Sequence, residues 1–381
     1  KLRLFLKFIV KGMNINSSEN LISPGLIIIP ERIKKNIKKM ISIAGSPKRL
    51  WPHVKTHKLR EIIDFQKEYG INKFKCATIC EAEMLALTGV QKILLAIQPT
   101  KLNLIHFIEL KFLYPKIEFS TIVDNFASLK LMSDLSSKNN IKLSLWIDIN
   151  NGMNRTGVNN LSIALKLIKN INTNKNLTLK GLHVYDGHIR NPDFKKRKKE
   201  CDKAYEFVNE IIKSSDKNGI KIQNLITGGS PTFNIHSMRK GNYLSPGTTL
   251  LWDEGYKKLF PEMNFEIAAI LVSRIISKPN KNILCLDLGH KSVASEMPLP
   301  RVVIYGLEDA KHISQSEEHL IIESKKAKNY YIGDVVYASP IHICPTVSKF
   351  EYLQTISNGE ISSLWKVKAR NYNLKSNVSD F

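Results

Sequence analysis

Lys55 lies in Pro52-His53-Val54-Lys55-Thr56-His57-Lys58, between two histidines and near a second lysine, at the end of a short apolar run. Desolvation and like charge both lower the pKa of an amine, so such a lysine can be a free nucleophile near neutral pH. The competing reading is a solvated charge that closes a strand, and spacing alone leaves the two level. A second constellation is Ser339-Pro340-Ile341-His342-Ile343-Cys344-Pro345-Thr346. Alternate residues of an extended segment point the same way, so the His342 imidazole and the Cys344 thiolate can share one ion. An N/S pair favours zinc over magnesium. A buried histidine beside a free cysteine is the plainer reading of that spacing.

Three further stretches carry donors. Gly228-Gly229-Ser230 follows Ile226-Thr227 and offers closely approaching backbone N–H groups and a hydroxyl, which suit a phosphate; a plain turn is the alternative. Gly247-Thr248-Thr249 can complete that cup from the next strand. Gly152-Met153-Asn154-Arg155-Thr156-Gly157 can present Arg155 to an anionic oxygen, or be an exposed loop. His183, Tyr185 and His188 sit on or just after one strand pattern.

The elements that must position these residues alternate. Strand patterns are expected at Leu26–Ile29, Trp51–Lys55, Phe74–Ile79, Ile93–Gln98, Ile117–Asp124, Leu143–Ile149, Leu179–Tyr185, Leu225–Thr227 and Leu244–Trp252. Between them lie helical spacings such as Ile33, Ile37, Met40, Ile41 and Leu161, Leu165, Ile168. This alternation predicts a parallel (β/α)8 TIM-type barrel, an α/β fold. A doubly wound sheet is the alternative, weakened because no GxGxxG follows the first strand. After about residue 265, strand patterns at Ala268–Ile276, Ile283–Leu286, Arg301–Tyr305, His319–Glu323, Asp334–Tyr337 and Ser363–Ala369 predict a mainly-β domain, with a turn at Gly333-Asp334. The organisation expected is an N-terminal extension (1–24), a barrel (25–264) and a C-terminal β domain (265–381). Lys55, Gln98, Asp124, Asn150 to Arg155, His183, Tyr185 and Gly228 to Ser230 all fall at or after strand ends, where a parallel barrel builds its sites.

The bulk numbers bound the class. A chain of 381 residues with 43% hydrophobic residues is ordinary globular material. Its five cysteines are few, scattered and odd in number, which predicts thiols and a cytoplasmic protein. No run approaches a membrane span. The formal charge of +23 is spread over most helices, so neither nucleic acid nor a membrane is the expected partner. Its dense run, Lys195 to Lys199, reads as the solvated face of a polar helix. Residues 1–12 look like an upstream extension before Met13, and 376–381 like a frayed tail.

Taken together, these stretches resemble the D-threonine aldolase family. That family is close kin of the eukaryotic-type D-serine dehydratases, among the fold type III pyridoxal phosphate enzymes headed by alanine racemase. Matching residues run in order from about 22 to 370. They include Pro52 to Lys58, Lys75-Cys76-Ala77-Thr78, Gly152 to Gly157, Gly181-Leu182-His183-Val184-Tyr185-Asp186-Gly187-His188, Gly228 to Thr232, Ser245-Pro246-Gly247, Glu317-Glu318-His319 and His342 to Val347. The resemblance implies a barrel with alanine racemase N-terminal-like topology, a D-serine dehydratase-like β domain and a homodimer with sites at the subunit junction. Lys55 would hold pyridoxal phosphate, Arg155 lie near its phenolate and Tyr185 lie beside it. Thr227, Gly228, Gly229 and Ser230 would bind its phosphate. His342 and Cys344 would bind a divalent metal (zinc favoured, manganese or magnesium as alternatives), and His188, His183 or a metal-bound water would serve as base. The substrate implied is a D-3-hydroxy amino acid, cleaved to glycine and an aldehyde. Cys344 departs from the aspartate common in the aldolases and matches the dehydratases, which make a keto acid and ammonia from D-serine. A racemase would not need the metal pair, and a non-catalytic carrier would not need the β domain.

Overall fold

The computed structural model describes residues 9–10, 13–15 and 18–372. The expected frayed tail lies outside them, as does the stretch 1–12 apart from residues 9–10; of the expected extension 1–24, residues 9–10, 13–15 and 18–24 are described. The described chain divides into two compact units, each discontinuous in sequence: residues 38–55 with 62–247, and residues up to 37 with 56–61 and 248–370.

The first unit is the expected barrel. Among the described residues, a seven-stranded parallel sheet runs Tyr243–Leu244, Leu225–Thr227, Leu177–Val184, Leu143–Ile149, Glu118–Val123, Lys92–Leu95, Lys73–Cys76. Its two edges meet on the segment 50–53. Leu50 bridges Leu244, and His53 bridges Lys75. Trp51 N–H donates to Leu244 O at 2.8 Å, and Lys75 N–H donates to Pro52 O at 2.9 Å. The expected Trp51–Lys55 strand is reduced to these bridges. Pro52 has no N–H to continue a ladder, and the chain turns into a 3-10 helix at Val54–Thr56. The expected strand through Trp252 likewise stops at Leu244, just before Ser245-Pro246-Gly247. Inward residues Trp51, Leu94, Ile122, Trp146 and Ile226 pack as one cluster. The Trp51 and Trp146 rings meet edge-on at 5.9 Å.

Helices separate the strands for local reasons. Leu161–Thr173 starts at Asn160, whose side chain accepts from Ile163 N–H, and buries Ala164, Leu167, Ile168 and Ile171 at helical spacing. The basic run lies in Phe194–Lys217, as expected for a polar helix, but it is not wholly solvated. Arg197 is fully buried, donating to Asn191 O at 2.7 Å. Burial is supportable because the guanidinium finds carbonyl acceptors.

The second unit is mainly strand, as expected for the C-terminal region. Its sheet runs Lys311–Gln315, Leu320–Glu323, Ile283–Leu286, Ala269–Asn280, Gly25–Ile28, Tyr352–Ser357, Glu360–Lys366, with Val335–Pro340 branching from Ala269–Asn280 and Val302–Ile304 pairing in turn with Val335–Pro340. Leu26–Ile29, expected as the first barrel strand, falls in the strand Gly25–Ile28, which instead pairs antiparallel with Ala269–Asn280 and parallel with Tyr352–Ser357. All four of its residues are buried. An apolar run buried on both faces gives no sign of which sheet it will join. The Gly333 turn is present, with φ +92°. All five cysteines are free thiols. Among the described residues, no helix is long and apolar enough to cross a membrane.

Candidate active site

Strand register assembles the polar centre of the barrel unit. Asp148 and His183 are register partners on neighbouring parallel strands, so their side chains stand together. His183 Nδ1 lies 2.7 Å from Asp148 Oδ1. Burial pushes the Asp148 carboxyl up, but hydrogen bonds from His183, Thr156 and Gln98 outweigh it and hold the group below the usual carboxylate range. An ionised Asp148 can only accept, so Nδ1 carries the proton and His183 Nε2 keeps its lone pair. That lone pair faces Lys75 Nζ at 3.3 Å. Lys75 is 2% exposed. Burial first, then the charge of Lys55, bring its amine down to about 7 against the pull of Asp148. Burial, then Lys75, also hold His183 below the ordinary imidazole range.

Lys75 carries no role in the sequence reading beyond its place in a matching stretch. Its signal was available: a charged residue between Phe74 and Cys76, on a strand whose last three residues are buried. Asp148, inside the apolar Leu143–Ile149 strand, gives the same kind of signal.

The Tyr185 ring gathers three basic side chains. Lys55 Nζ and Lys75 Nζ each lie 5.6 Å from its centroid, and Arg155 Cζ lies 5.0 Å away. Two glycines let the chain pack against this tyrosine. A Cβ on Gly187 would fall 2.1 Å from Tyr185 Oη, and one on Gly229 would fall 2.8 Å from the ring. Arg155 is exposed on a loop that is nevertheless tied down. Asn150 Oδ1 accepts from Gly152 and Asn154 N–H at 3.1 and 3.0 Å, and Asp124 Oδ2 accepts from Gly157 N–H at 2.8 Å. His188 is exposed and lies against Gly152, where a Cβ would sit 2.8 Å from its Nε2. Of the two histidines considered as base, His183 is therefore the one in the buried network.

The expected phosphate loop is held from behind. Gly228 adopts φ +75° and its N–H donates to Val184 O at 2.9 Å. Gly229 N–H reaches Thr232 Oγ1 at 3.3 Å. Thr227 Oγ1 donates to Tyr243 O at 3.1 Å, and Ser230 Oγ accepts from Gly247 N–H at 3.1 Å. Beneath the loop, Asp186, Cys201 and His236 bring one ligand atom each within 4.8 Å of one another, close enough to share an ion. Here hydrogen bonds occupy those atoms. Arg239 Nη1 donates to His236 Nδ1 at 2.8 Å, so Nε2 carries the proton it gives to Asp186 Oδ2 at 2.7 Å. Burial, then Asp186, push the Cys201 thiol up to about 12. A guanidinium 3.7 Å from the sulfur further disfavours a cation there.

His342 and Cys344 belong to the β unit. They do not share an extended segment. His342 is the extended N-cap of the short Ile343–Val347 helix, and Cys344 lies in its first turn. A Pro345 at the third helical position suits that helix start. The two groups still act on each other, the imidazolium favouring the thiolate and the thiolate the imidazolium. Cys344 Sγ also lies 3.2 Å from Thr56 Oγ1 and 3.4 Å from Thr248 Oγ1. Burial pushes the thiol up, but His342, Thr248 and Thr56 outweigh it and bring it below the ordinary range. Burial would lower His342; its contacts with Cys344, Glu296 and Asp253 raise it to about 9 instead. The Glu296 carboxylate lies 2.5 Å from His342 Nδ1.

These donor sets fit the two groups the family implies. Pyridoxal phosphate is an anionic aldehyde; Lys55 offers the amine, Arg155 a cation, and the glycine loop a close backbone approach. A thiol poised to ionise, an imidazole and a carboxylate on that imidazole suit a borderline-soft divalent ion.

Comparison with known proteins gives the same grouping. Residues 28–254, more than half of the chain, match the family model for the alanine racemase N-terminal domain, and residues 268–356 match that for a putative serine dehydratase domain. A 3-hydroxy-D-aspartate aldolase of Paracoccus denitrificans (strain Pd 1222) is 25% identical over 91% of this chain and 92% of its own. A D-serine dehydratase of Dictyostelium discoideum is 24% identical over 91% of this chain and 96% of its own. The crystal structure of D-threonine aldolase from Filomicrobium marinum superposes with a TM-score of 0.84 at 23% identity, covering 93% of this chain and 97% of that one. Fold, domain matches and relatives agree, and the chain belongs to the alanine racemase N-terminal domain family, among the fold type III pyridoxal phosphate enzymes that include D-threonine aldolase, 3-hydroxy-D-aspartate aldolase and D-serine dehydratase.

Proposed function

We propose that the protein is a pyridoxal phosphate- and divalent metal-dependent lyase that cleaves D-3-hydroxy-α-amino acids by retro-aldol chemistry, giving glycine and an aldehyde. The observation that carries this reading is the set of three basic side chains about Tyr185 with the buried His183–Asp148 pair beside them. Lys55 is the amine that holds the cofactor, Arg155 faces its phenolate, and Ser230 with the Thr227–Gly229 backbone shapes the phosphate end. Bound there, the cofactor supplies an electron sink for charge left at the α-carbon, and a metal on His342 and Cys344 supplies a Lewis acid for the 3-hydroxyl. Tyr185 packs beside the cofactor and limits its movement. Asp148 keeps the His183 imidazole in one tautomer, with Nε2 turned to the Lys75 amine. The D preference rests on the names of the relatives, and cytoplasmic location and a homodimer complete the proposal.

The second reading is a D-serine dehydratase, favoured by the thiol at 344 and by the match of 268–356. Product analysis separates them. Purified protein given pyridoxal phosphate and zinc or manganese is supplied with D-threonine and D-serine separately. Glycine and acetaldehyde from D-threonine support the aldolase; pyruvate and ammonia from D-serine with no cleavage of D-threonine would replace it with the dehydratase.

A further inference from the structure

Lys75 is a buried amine that the proposed roles leave unused. It comes from the Lys73–Cys76 strand, whose partner Leu94 belongs to the inward cluster, so register turns Lys75 inward too. Its Nζ has a directed partner, His183 Nε2 at 3.3 Å, and that imidazole has its own, Asp148 at 2.7 Å. Thr156 Oγ1 at 2.9 Å and Gln98 Nε2 at 3.3 Å fix the second oxygen of Asp148. The line carboxylate–imidazole–amine has a defined polarity. The carboxylate accepts from Nδ1–H, and Nε2 accepts one N–H from the lysine. A neutral amine bonded this way keeps its lone pair free, and that lone pair can take a proton.

We propose that Lys75, His183 and Asp148 form one acid–base unit, in which the Lys75 amine takes and returns the substrate's proton and the His183–Asp148 pair orients it. The inference rests on the lyase reading for its substrate. The proton leaves the 3-hydroxyl, the O–H electron pair stays on oxygen, and Nζ becomes an ammonium. The pair on oxygen becomes the second bond of the aldehyde C=O as the Cα–Cβ bond breaks, the Cα–Cβ pair is left at the α-carbon, and the ammonium returns its proton to that carbon to give glycine, so the unit ends as it began. Asp148 balances the transient charge through the imidazole. The groups acting on Lys75 are Lys55 and Arg155, which favour its neutral form, and Asp148 and Asp186, which favour the ammonium. With the amine brought to about 7, both forms are populated at neutral pH, the condition for efficient proton exchange.

Two measurements test this. The first needs no cofactor, so it stands apart from the lyase reading. The His183 Nδ1 proton shared with Asp148 gives a strongly downfield proton NMR line, assigned by its loss in His183→Asn. In cofactor-free protein that line should shift with pH around about 7. In Lys75→Met and Lys75→Gln the line should remain and the shift disappear. An unchanged titration in either folded variant overturns the proposal. The second uses protein loaded with pyridoxal phosphate and zinc. Lys75→Ala should keep the visible absorbance of the bound cofactor and lose roughly 10²-fold or more in kcat. Added methylamine or ethylamine should restore part of that loss, and Lys75→Arg should stay inactive. Activity of Lys75→Ala within about threefold of wild type, or no amine rescue, overturns it.

Discussion

Each proposed role makes a separate demand on one residue. If Lys55 holds the cofactor, Lys55→Ala should abolish the visible absorption band on adding pyridoxal phosphate, and a persisting band would move the anchor elsewhere, Lys75 first. Cys344→Ala should release the metal, read by elemental analysis after dialysis, while that band stays. The sulfur is held by the Thr56 and Thr248 hydroxyls, so its loss removes a ligand without opening the barrel core. Glu296 adds a quieter dependence. A carboxylate on the distal nitrogen of a metal-binding imidazole typically contributes 10–100-fold in affinity, so Glu296→Gln should weaken zinc binding by roughly 10-fold.

Loops and strand ends supply the next set of constraints. Gly157 carries φ +99°, and a Cβ there would fall 2.5 Å from Asn150 N. Gly157→Ala should therefore destabilise the barrel unit by about 1–3 kcal/mol in urea melts, and weaken cofactor binding because the same loop presents Arg155. Arg49 ties several chain ends together, donating to the carbonyls of Ala44, Ser237, Arg239 and Asn242 at 2.9, 3.0, 2.9 and 3.1 Å. Hydrogen bonds to a charged group contribute about 1.5–3 kcal/mol each and do not add fully, so Arg49→Met should cost about 3 kcal/mol.

For the molecule as a whole, buried titratable groups set how stability follows pH. The folded Lys75 amine is lowered from its ordinary 10.5 to about 7, so between those values the unfolded chain binds a proton that the folded one does not. Stability of the cofactor-free barrel unit should rise with pH across that window by up to about 1.4 kcal/mol per unit, and Lys75→Met should flatten the slope. His57 gives the acid side. It is fully buried, and burial brings it from 6.5 to about 3, so stability of the β unit should fall as pH drops from 6.5 towards 3. Asp148 and Asp186 lie below their ordinary 3.8, so their contribution is full above that value and is lost as pH falls below it. Urea melts at a series of pH values check both limbs.

The sequence alone determined the barrel, the β domain and the family, because those rest on local signals: alternating strand and helix periods, glycines that special backbone requires, and short motifs in a fixed order. It also marked Lys55, Tyr185, Arg155, His342 and Cys344 as residues worth placing. Tertiary structure decided the rest. Gly25–Ile28 joined the β sheet, since an apolar run can be buried equally well in either sheet and long-range pairing chooses between them. Pro52 and Pro246 cut two expected strands short, and bridges at residues 50–53 closed the barrel in their place. Cys344 reached His342 through a helical turn, which the residues around it do not announce. Lys75 met His183 and Asp148 only because strand register set three distant positions facing one interior, and burial there changes an ordinary surface charge into a titrating amine.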